Sequence, residues 1–328
     1  MLEKSLAKNI FTKSIITKAT RDGFGEALVE LGQKNKQVVV LCADVTESTR
    51  CEAFAQKFPE RFFEVGVAEQ NLAGLAAGLA LAGKIPFISS YAVFSPGRNW
   101  EQIRVGIAYN KANVKIIGGH SGLSVGPDGA THQALEDLAL MRVLPNLTVI
   151  APSDYEETKQ AVLATAKIKG PVYLRLTRQA TPVFTTTKTP FKVGRAEIFW
   201  TGQNPQVTII AGGPVVYSAL LAAQALAQKK INSLVVNNHT IKPLDQLAII
   251  KAAQKTGAVV VVEEHQINGG LFGAVAELLA QKFPVPIEAV AMLDKFGESG
   301  EAQELLDKYQ INTRQIIAQA KKVIRRKK

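Results

Sequence analysis

The fold is decided by FFEVGVAEQN at residues 62–71, which continues into LAGLAAGLALAG at residues 72–83. An apolar run that ends at Gly66 and leads into small and apolar residues predicts a short buried strand followed by a helix. Because the helix carries almost only Ala, Gly and Leu, we expect its neighbours to cover it on most sides. Glu69 lies at its beginning. A carboxylate kept from water holds its proton more tightly than one in solution, so Glu69 is a candidate for giving or sharing a proton.

Length and composition are those of an ordinary globular chain. The 328 residues are 47% hydrophobic and 20% charged, and chains of this length commonly form two domains. The apolar run 72–82 is too short to span a bilayer, and the first residues show no signal-peptide pattern. Two cysteines provide no disulfide framework. We therefore expect a cytoplasmic protein without a membrane segment.

The net charge of +11 raises the question of a nucleic-acid partner. Six of the positive charges lie within residues 321–328, and cations are common at helix ends because they complement the helix dipole. The sequence lacks the combined basic and aromatic stripe on which bases stack. The pattern predicts no nucleic-acid partner, and the remaining positive charge suits a phosphorylated metabolite or an acidic partner.

Strand and helix patterns alternate along the chain. The predicted strands are continuous apolar runs, such as residues 37–43, which favour a parallel sheet covered on both faces. Residues 177–192 lack a period and contain two prolines, after which the alternation restarts. The fold class is therefore α/β with two doubly wound, mostly parallel sheets. The predicted division is an N-terminal extension (1–19), a first domain (20–180), a linker (181–193) and a second domain (194–328).

One glycine-rich loop is a candidate for function. Ligands of doubly wound sheets bind at the carboxyl ends of the strands, and the loop 118–133 follows such a strand. It contains five glycines together with His120 and His132. Glycine allows a ligand to approach the backbone closely, although the loop is also readable as a tight connection. It is not a phosphate-binding P-loop, because no Gly-Lys-Ser/Thr follows.

Two arginines and a group of aromatic residues also lie near predicted strand ends or helix starts. Arg21 and Arg178 are suited to pair bidentately with a phosphate or a carboxylate, although an arginine taken singly is more often part of a structural ion pair. Tyr91 and Phe94 precede Arg98 closely. An aromatic ring near a buried carboxylate can stack on a flat ligand, whereas one at a strand end commonly belongs to the core.

No metal site is predicted. The sequence has no Cys or His pair at ligand spacing. The sequence EEH at residues 263–265 reads as a solvated strand terminus or a subunit contact, and His239 reads as a loop histidine.

Two motifs, EVGVAEQN at residues 64–71 and GPDGATHQ at residues 126–133, together resemble the C-terminal half of transketolase. The resemblance extends over residues 20–319. It implies a pyrimidine-binding domain followed by a transketolase C-terminal domain, and a site that binds thiamine diphosphate.

The resemblance also implies roles for individual residues. Glu69 would contact the N1′ nitrogen of the cofactor's aminopyrimidine and act as an acid/base relay in its activation. Phe94 would stack on the pyrimidine, with Tyr91 and Arg98 beside it in the cofactor pocket. His132 would lie beside the thiazolium ring and contact the donor's hydroxyl. The implied substrate-binding residues are Arg21, Ser48, His120, Asp128 and Arg178.

One part of the family's cofactor site has no counterpart in the sequence. The family holds the cofactor's diphosphate through Mg²⁺, bound by a Gly-Asp-Gly segment and an Asn on a separate domain, whereas PDG at residues 127–129 already belongs to the other motif. The resemblance therefore implies a split transketolase of the pentose phosphate pathway, which transfers a two-carbon ketol unit between sugar phosphates. A partner subunit would carry the diphosphate domain and most of the Mg²⁺ ligands, and the assembly would be a dimer of heterodimers.

Other functions stay open at this point. A 1-deoxyxylulose-5-phosphate synthase has similar motifs but is normally one fused chain. The β subunit of a 2-oxoacid dehydrogenase shares the architecture but normally lacks the Thr131-His132-Gln133 sequence. A non-catalytic assembly partner would have no need of Glu69 and the substrate-binding residues.

Overall fold

The computed structural model describes residues 1–327, so Lys328 of the basic C-terminal end lies outside the described residues. The strands of the N-terminal half are β1 (Thr17–Ala19), β2 (Val38–Cys42), β3 (Phe62–Glu64), β4 (Ile85–Tyr91), β5 (Lys115–Gly119), β6 (Thr148–Ile150), β7 (Val172–Arg175) and β8 (Ala180–Pro182). The helices are α1 (Thr20–Lys34), α2 (Glu52–Lys57), α3 (Glu69–Leu81), α4 (Trp100–Gln102), α5 (Asp137–Arg142) and α6 (Tyr155–Thr165). A π-helical segment (Ile103–Tyr109) continues α4, and short 3₁₀ turns occupy Pro59–Arg61 and Leu123–Val125.

The C-terminal half repeats the alternation of strands and helices. Its strands are β9 (Glu197–Thr201), β10 (Val207–Ala211), β11 (Ser233–Asn237), β12 (Thr240–Lys242), β13 (Val259–Gln266) and β14 (Ile287–Met292). Its helices are α7 (Val216–Gln228), α8 (Gln246–Thr256), α9 (Leu271–Lys282), α10 (Ala302–Lys308) and α11 (Thr313–Arg325).

Each half is built on a mostly parallel sheet, which confirms the predicted fold class. The first sheet has the order β12-β6-β7-β5-β4-β2-β3, and the second has the order β14-β13-β10-β11-β9. Only β12 in the first sheet and β9 in the second run antiparallel to their neighbours. The central strands β2, β5, β10 and β11 are buried along their whole length, as expected for strands with helices on both faces.

The two halves share structure that the sequence did not predict. Strand β12 belongs to the C-terminal half of the chain but pairs with β6 at the edge of the first sheet. The N-terminal segment also crosses between the halves, because Leu6 and Ile10 are buried in the hydrophobic core of the second sheet. Directly after this segment, β1 pairs with β8 in a two-stranded ribbon. Strand β8 of this ribbon lies in the stretch 177–192, where we predicted no regular structure.

Two predictions for the opening stretch are wrong. Strand β3 is an edge strand with β2 as its partner, and Phe63 and Glu64 are exposed rather than buried. Helix α3 is covered on one side only. Its residues Gly74, Leu75 and Gly78 are exposed, and nothing lies within 4 Å of a Cβ atom built on either glycine. The small residues indicate where a close neighbour can fit, but none of residues 1–327 covers that side of the helix.

No helix within residues 1–327 is long and apolar enough to cross a membrane. Cys42 and Cys51 are free and buried.

Candidate active site

The candidate residues gather where the parallel strands of the first sheet end. The sheet register places Tyr91, the last residue of β4, directly opposite Gly119 at the end of β5. His120 therefore emerges beside Tyr91, and the two rings stack with their centroids 3.9 Å apart.

Glu69 is the first residue of α3 and its side chain is only 2% exposed. Among the described residues, its carboxylate has one hydrogen-bond donor, the Arg98 guanidinium, with Nη1 at 3.4 Å from Oε2. The buried Asn99 side chain fixes the start of the helix, because its Nδ2 donates to the Glu69 backbone carbonyl at 3.0 Å. The carboxylate is thus buried with few of its acceptor sites used.

The tight turn 92–98 brings Arg98 to Glu69. A Cβ atom at Gly97 would lie 2.0 Å from the Val93 carbonyl oxygen, so the turn requires glycine at this position. It places the Arg98 Cζ atom 4.9 Å from the centroid of the Phe94 ring, within the range of a cation–π contact. The turn thus places a cation beside the Glu69 carboxylate.

The Phe94 ring lies between Arg98, the partner of Glu69, and the glycine-rich loop. It stacks on Tyr91 at 6.1 Å and meets the His132 ring edge-on at 5.5 Å. The Thr131 hydroxyl lies 2.9 Å from His132 Nδ1. Four of the predicted site residues, Glu69, Arg98, Phe94 and His132, therefore form one continuous group.

A second group of predicted residues is positively charged. The Arg21 guanidinium donates from Nη1 to the Ser48 carbonyl oxygen at 2.8 Å and lies 3.2 Å from His120 Nε2. Ser48 therefore contacts Arg21 through its backbone rather than its hydroxyl. Arg178 donates from Nη1 to the Val125 carbonyl oxygen at 2.9 Å and to Asp128 Oδ1 at 3.3 Å.

His120 is a neutral acceptor in this group. Burial, together with the charges of Arg21 and Arg178, lowers the pKa of His120 to about 3. Because a guanidinium can only donate, Nε2 must accept from Arg21, and the imidazole proton is then on Nδ1. That nitrogen is buried and has no hydrogen-bond partner among the described residues.

Residues of the C-terminal half form hydrogen bonds with the glycine-rich loop. The Glu264 carboxylate accepts from the Ser124 N–H at 2.5 Å, and Gln133 donates to the carbonyl oxygens of Leu123 and Glu298. The prediction that residues 263–265 form a solvated terminus is wrong, since all three are buried. Glu263 accepts from the first two N–H groups of α9. A polar triplet at a strand end gives no signal in the sequence to distinguish these environments.

Comparisons with known proteins match one family to each half of the chain. The family "Transketolase, pyrimidine binding domain" matches residues 17–183, and "Transketolase, C-terminal domain" matches residues 195–316. A putative transketolase C-terminal section of Methanocaldococcus jannaschii is 46% identical over 90% of this chain and 92% of its own length. The 6-deoxy-6-sulfo-D-fructose transketolase subunit SqwH of Clostridium sp. (strain MSTE9) is 39% identical over 94% and 95%.

A solved structure, described as "Split gene transketolase, inactive beta4 tetramer", is also similar. It superposes with a TM-score of 0.88 at 47% identity, covering 94% of this chain and 99% of the other. The fold and the clustered residues define a two-domain α/β chain with a pyrimidine-binding domain. The chain belongs to the transketolase family, and its relatives include subunits of split transketolases.

Proposed function

We propose that this chain is the catalytic C-terminal subunit of a split, thiamine diphosphate-dependent transketolase that moves a two-carbon ketol unit between sugar phosphates. The observation that carries the proposal is Glu69, a buried carboxylate paired with Arg98, whose guanidinium also lies over the Phe94 ring. The proposal includes the domain division 1–19, 20–180, 181–193 and 194–328.

The residues around Glu69 fit the pyrimidine end of the cofactor. The carboxylate has free acceptor capacity, since only Arg98 contacts it at 3.4 Å among the described residues. In our proposal Glu69 holds a proton shared with the pyrimidine nitrogen, while Phe94 and Tyr91 provide aromatic surface for the ring. When bound, thiamine diphosphate would supply the chemistry that cleaves a carbon–carbon bond of the ketose donor.

The positively charged group fits the phosphate and hydroxyls of a sugar phosphate. Arg21, Arg178 and His120 lie around one region beside the loop 118–133, and guanidinium groups bind phosphate strongly. We assign the donor's hydroxyl to His132 and a sugar hydroxyl to Asp128. The Ser48 backbone holds Arg21 in place.

The diphosphate end of the cofactor requires another polypeptide. No group of three or more His, Cys, Asp or Glu residues in the described part of the chain is arranged to hold a metal ion. We therefore propose that a partner subunit binds the diphosphate and supplies most of the Mg²⁺ ligands. The solved relative is described as an inactive tetramer of its β chain, which supports a need for a partner.

An exposed apolar surface on α3 and the π-helical segment supports assembly. On α3, Leu75 and Leu81 are 39% and 71% exposed, and on the adjacent π-helical segment Val105 and Tyr109 are 44% and 81% exposed. Neighbouring exposed apolar side chains of this kind commonly mark a protein interface. We propose that assembly into a dimer of heterodimers buries this surface.

The function is tested by reconstitution. The chain is mixed with a subunit that carries the Gly-Asp-Gly diphosphate domain, thiamine diphosphate and Mg²⁺, and ketol transfer is followed from xylulose 5-phosphate to ribose 5-phosphate. We expect activity from the pair and none from either subunit alone. Product from pyruvate and glyceraldehyde 3-phosphate instead would indicate a deoxyxylulose-phosphate synthase. An assembled pair that is inactive with every donor would contradict the enzyme function and indicate that this chain is a non-catalytic assembly partner.

A further inference from the structure

We propose that Thr20, Ser121 and Thr177, three buried hydroxyl residues, form a clasp that sets the positions of Arg21, His120 and Arg178 for binding the substrate's phosphate. This inference rests on the proposed function, because it takes those three residues as the phosphate site. Each clasp residue is the immediate chain neighbour of one of them. The clasp residues are positioning residues and make no contact with substrate themselves.

The clasp closes at the end of β7. The Thr20 hydroxyl accepts from the Thr177 N–H at 2.8 Å and lies 3.3 Å and 3.1 Å from the carbonyl and hydroxyl oxygens of Thr177. Ser121 donates both its N–H and its hydroxyl to the Leu176 carbonyl oxygen, at 3.0 Å and 2.9 Å. Three segments far apart in the chain therefore meet at residues 176 and 177.

All three hydroxyls are shielded from water. Thr20, Ser121 and Thr177 are exposed by 1%, 0% and 2%, so water is not available to replace a lost partner. Without the Thr20 hydroxyl, the Thr177 N–H would be a buried donor with no acceptor, which is a costly arrangement. The backbone would have to move to relieve it, and Arg21 and Arg178 would move with it.

The phosphate-site residues need such restraint. Burial, and after it the positive charges of Arg50 and Arg178, lowers the pKa of Arg21, so the guanidinium groups of Arg21 and Arg178 repel each other before an anion arrives. His120 has a φ of 51°, a left-handed conformation that costs energy for residues other than glycine. The paired bonds from Ser121 to Leu176 hold the chain in that conformation.

The β1–β8 ribbon does not by itself set the positions of Arg21 and Arg178. It joins Thr17–Ala19 to Ala180–Pro182 through backbone pairing, and so brings the two segments together. Its last pair is Ala19 with Ala180, which leaves Arg21 and Arg178 beyond the ribbon. The Thr20 hydroxyl supplies the next contacts along the chain, directly before the arginines.

The test compares Thr20→Val, which has the same shape without the hydroxyl, with Thr20→Ser, which keeps it. Assembled enzyme is assayed with hydroxypyruvate as an unphosphorylated donor and either ribose 5-phosphate or glycolaldehyde as acceptor. We expect Thr20→Val to raise the KM for ribose 5-phosphate about tenfold, because small displacements of binding groups have large effects. Its KM for glycolaldehyde and its kcat should stay within about twofold of wild type, and Thr20→Ser should behave as wild type. Thr177→Val, which keeps the backbone contacts, should raise the KM for ribose 5-phosphate less than Thr20→Val.

A binding measurement separates this inference from the proposed function. Inorganic phosphate is titrated into the assembled wild-type complex and the Thr20 variants by calorimetry, and thermal unfolding confirms that each variant is folded. Weaker phosphate binding in Thr20→Val, restored in Thr20→Ser, supports the clasp even if no ketol transfer is found. Equal KM changes for both acceptors, no change for either, or unchanged phosphate binding in folded Thr20→Val would overturn it.

Discussion

The Arg98 guanidinium lies 3.4 Å from the Glu69 carboxylate, and it also covers the Phe94 ring with Cζ 4.9 Å from the ring centroid. One cation thus holds the two side chains that we assign to the cofactor's pyrimidine. The Arg98 side chain is 53% exposed whereas that of Glu69 is 2% exposed, so the pair lies at the boundary between the fold and the space where a ligand would bind.

Removal of this cation should affect the cofactor more than the fold. Because the Arg98 side chain is 53% exposed and its contact with the buried Glu69 carboxylate is long at 3.4 Å, we expect its loss to cost no more than about 1 kcal/mol, so Arg98→Ala should unfold at nearly the wild-type urea concentration. We expect the concentration of thiamine diphosphate that gives half-maximal activity to rise about tenfold, the effect of losing about 1.4 kcal/mol of binding free energy. Arg195→Ala, at an exposed arginine of the C-terminal half, is the matched control. Equal cofactor requirements in both variants would contradict this role for Arg98.

His120 should stay neutral throughout the physiological range. Burial lowers its pKa to about 3 and the adjacent arginines contribute to the shift, so its imidazole takes up no proton between pH 5 and pH 8. NMR of ¹⁵N-histidine-labelled protein should show a ring signal that does not move over this range and that disappears in His120→Asn. His239, which burial also brings to a pKa of about 3, serves as an internal comparison. A His120 signal that titrates near pH 6.5 would show that the imidazole is protonated in the site.

The buried Asp137–Arg175 pair should make stability depend on pH. Burial alone would raise the pKa of Asp137, but the charge and hydrogen bond of Arg175, with a hydrogen bond from Tyr173, lower it below 3.8 overall. Its folded-state pKa is thus lower than its unfolded-state value. The stabilisation is therefore fully present above the unfolded value and is lost as pH falls through the folded value.

Asp137→Asn tests this dependence. At pH 7 we expect the free energy of unfolding to fall by about 3–5 kcal/mol, because the variant leaves the Arg175 charge buried without its partner. The difference from wild type should shrink as pH falls below 3.8, and urea unfolding at several pH values measures it. A difference that is small at pH 7 or constant down to pH 3 would be inconsistent with this pair. Glu304→Gln, on the exposed side of α10, is a control with no expected effect above about 0.5 kcal/mol.

The exposed side of α3 should matter for assembly and not for the fold of the single chain. Gly78 has nothing within 4 Å of a built Cβ atom, so Gly78→Leu fits the isolated chain and should stabilise it by about 0.5–1 kcal/mol through helix propensity. The larger side chain should nevertheless block close approach of a second chain. Mass photometry should show smaller assemblies for this variant and unchanged assemblies for Ala318→Leu on α11. If Gly78→Leu forms the same assemblies as wild type, the interface does not include this side of α3.

Local patterns in the sequence predicted much of the fold and of the candidate site. Continuous apolar strands predicted two parallel sheets, and the rule that ligands bind at strand ends led to Tyr91 and the loop 118–133. These features depend on periodicity and on residues close in the chain. The assignment of Glu69 to a cofactor came from the resemblance to transketolase and not from periodicity.

Long-range relationships were not predictable in this way. Nothing in the short run 240–242 indicates that it joins the edge of the other sheet as β12, and the Glu264 carboxylate gives no sign that it binds the Ser124 N–H. The small residues of α3 indicated that something approaches closely. They could not indicate that residues 1–327 supply no such neighbour, because composition reports how near a neighbour can come and not which residues provide it.

In our proposal Glu69 is the carboxylate that activates the cofactor in a split transketolase. Its most direct test is the rate of ketol transfer from xylulose 5-phosphate by the reconstituted pair, with the wild-type chain, Glu69→Gln and the exposed-site control Glu101→Gln compared at saturating thiamine diphosphate. We predict that Glu69→Gln lowers kcat about 10²–10⁴-fold, the usual contribution of a positioned acid or base, while it still assembles and Glu101→Gln retains full activity. A correctly assembled Glu69→Gln enzyme with wild-type kcat would contradict the account.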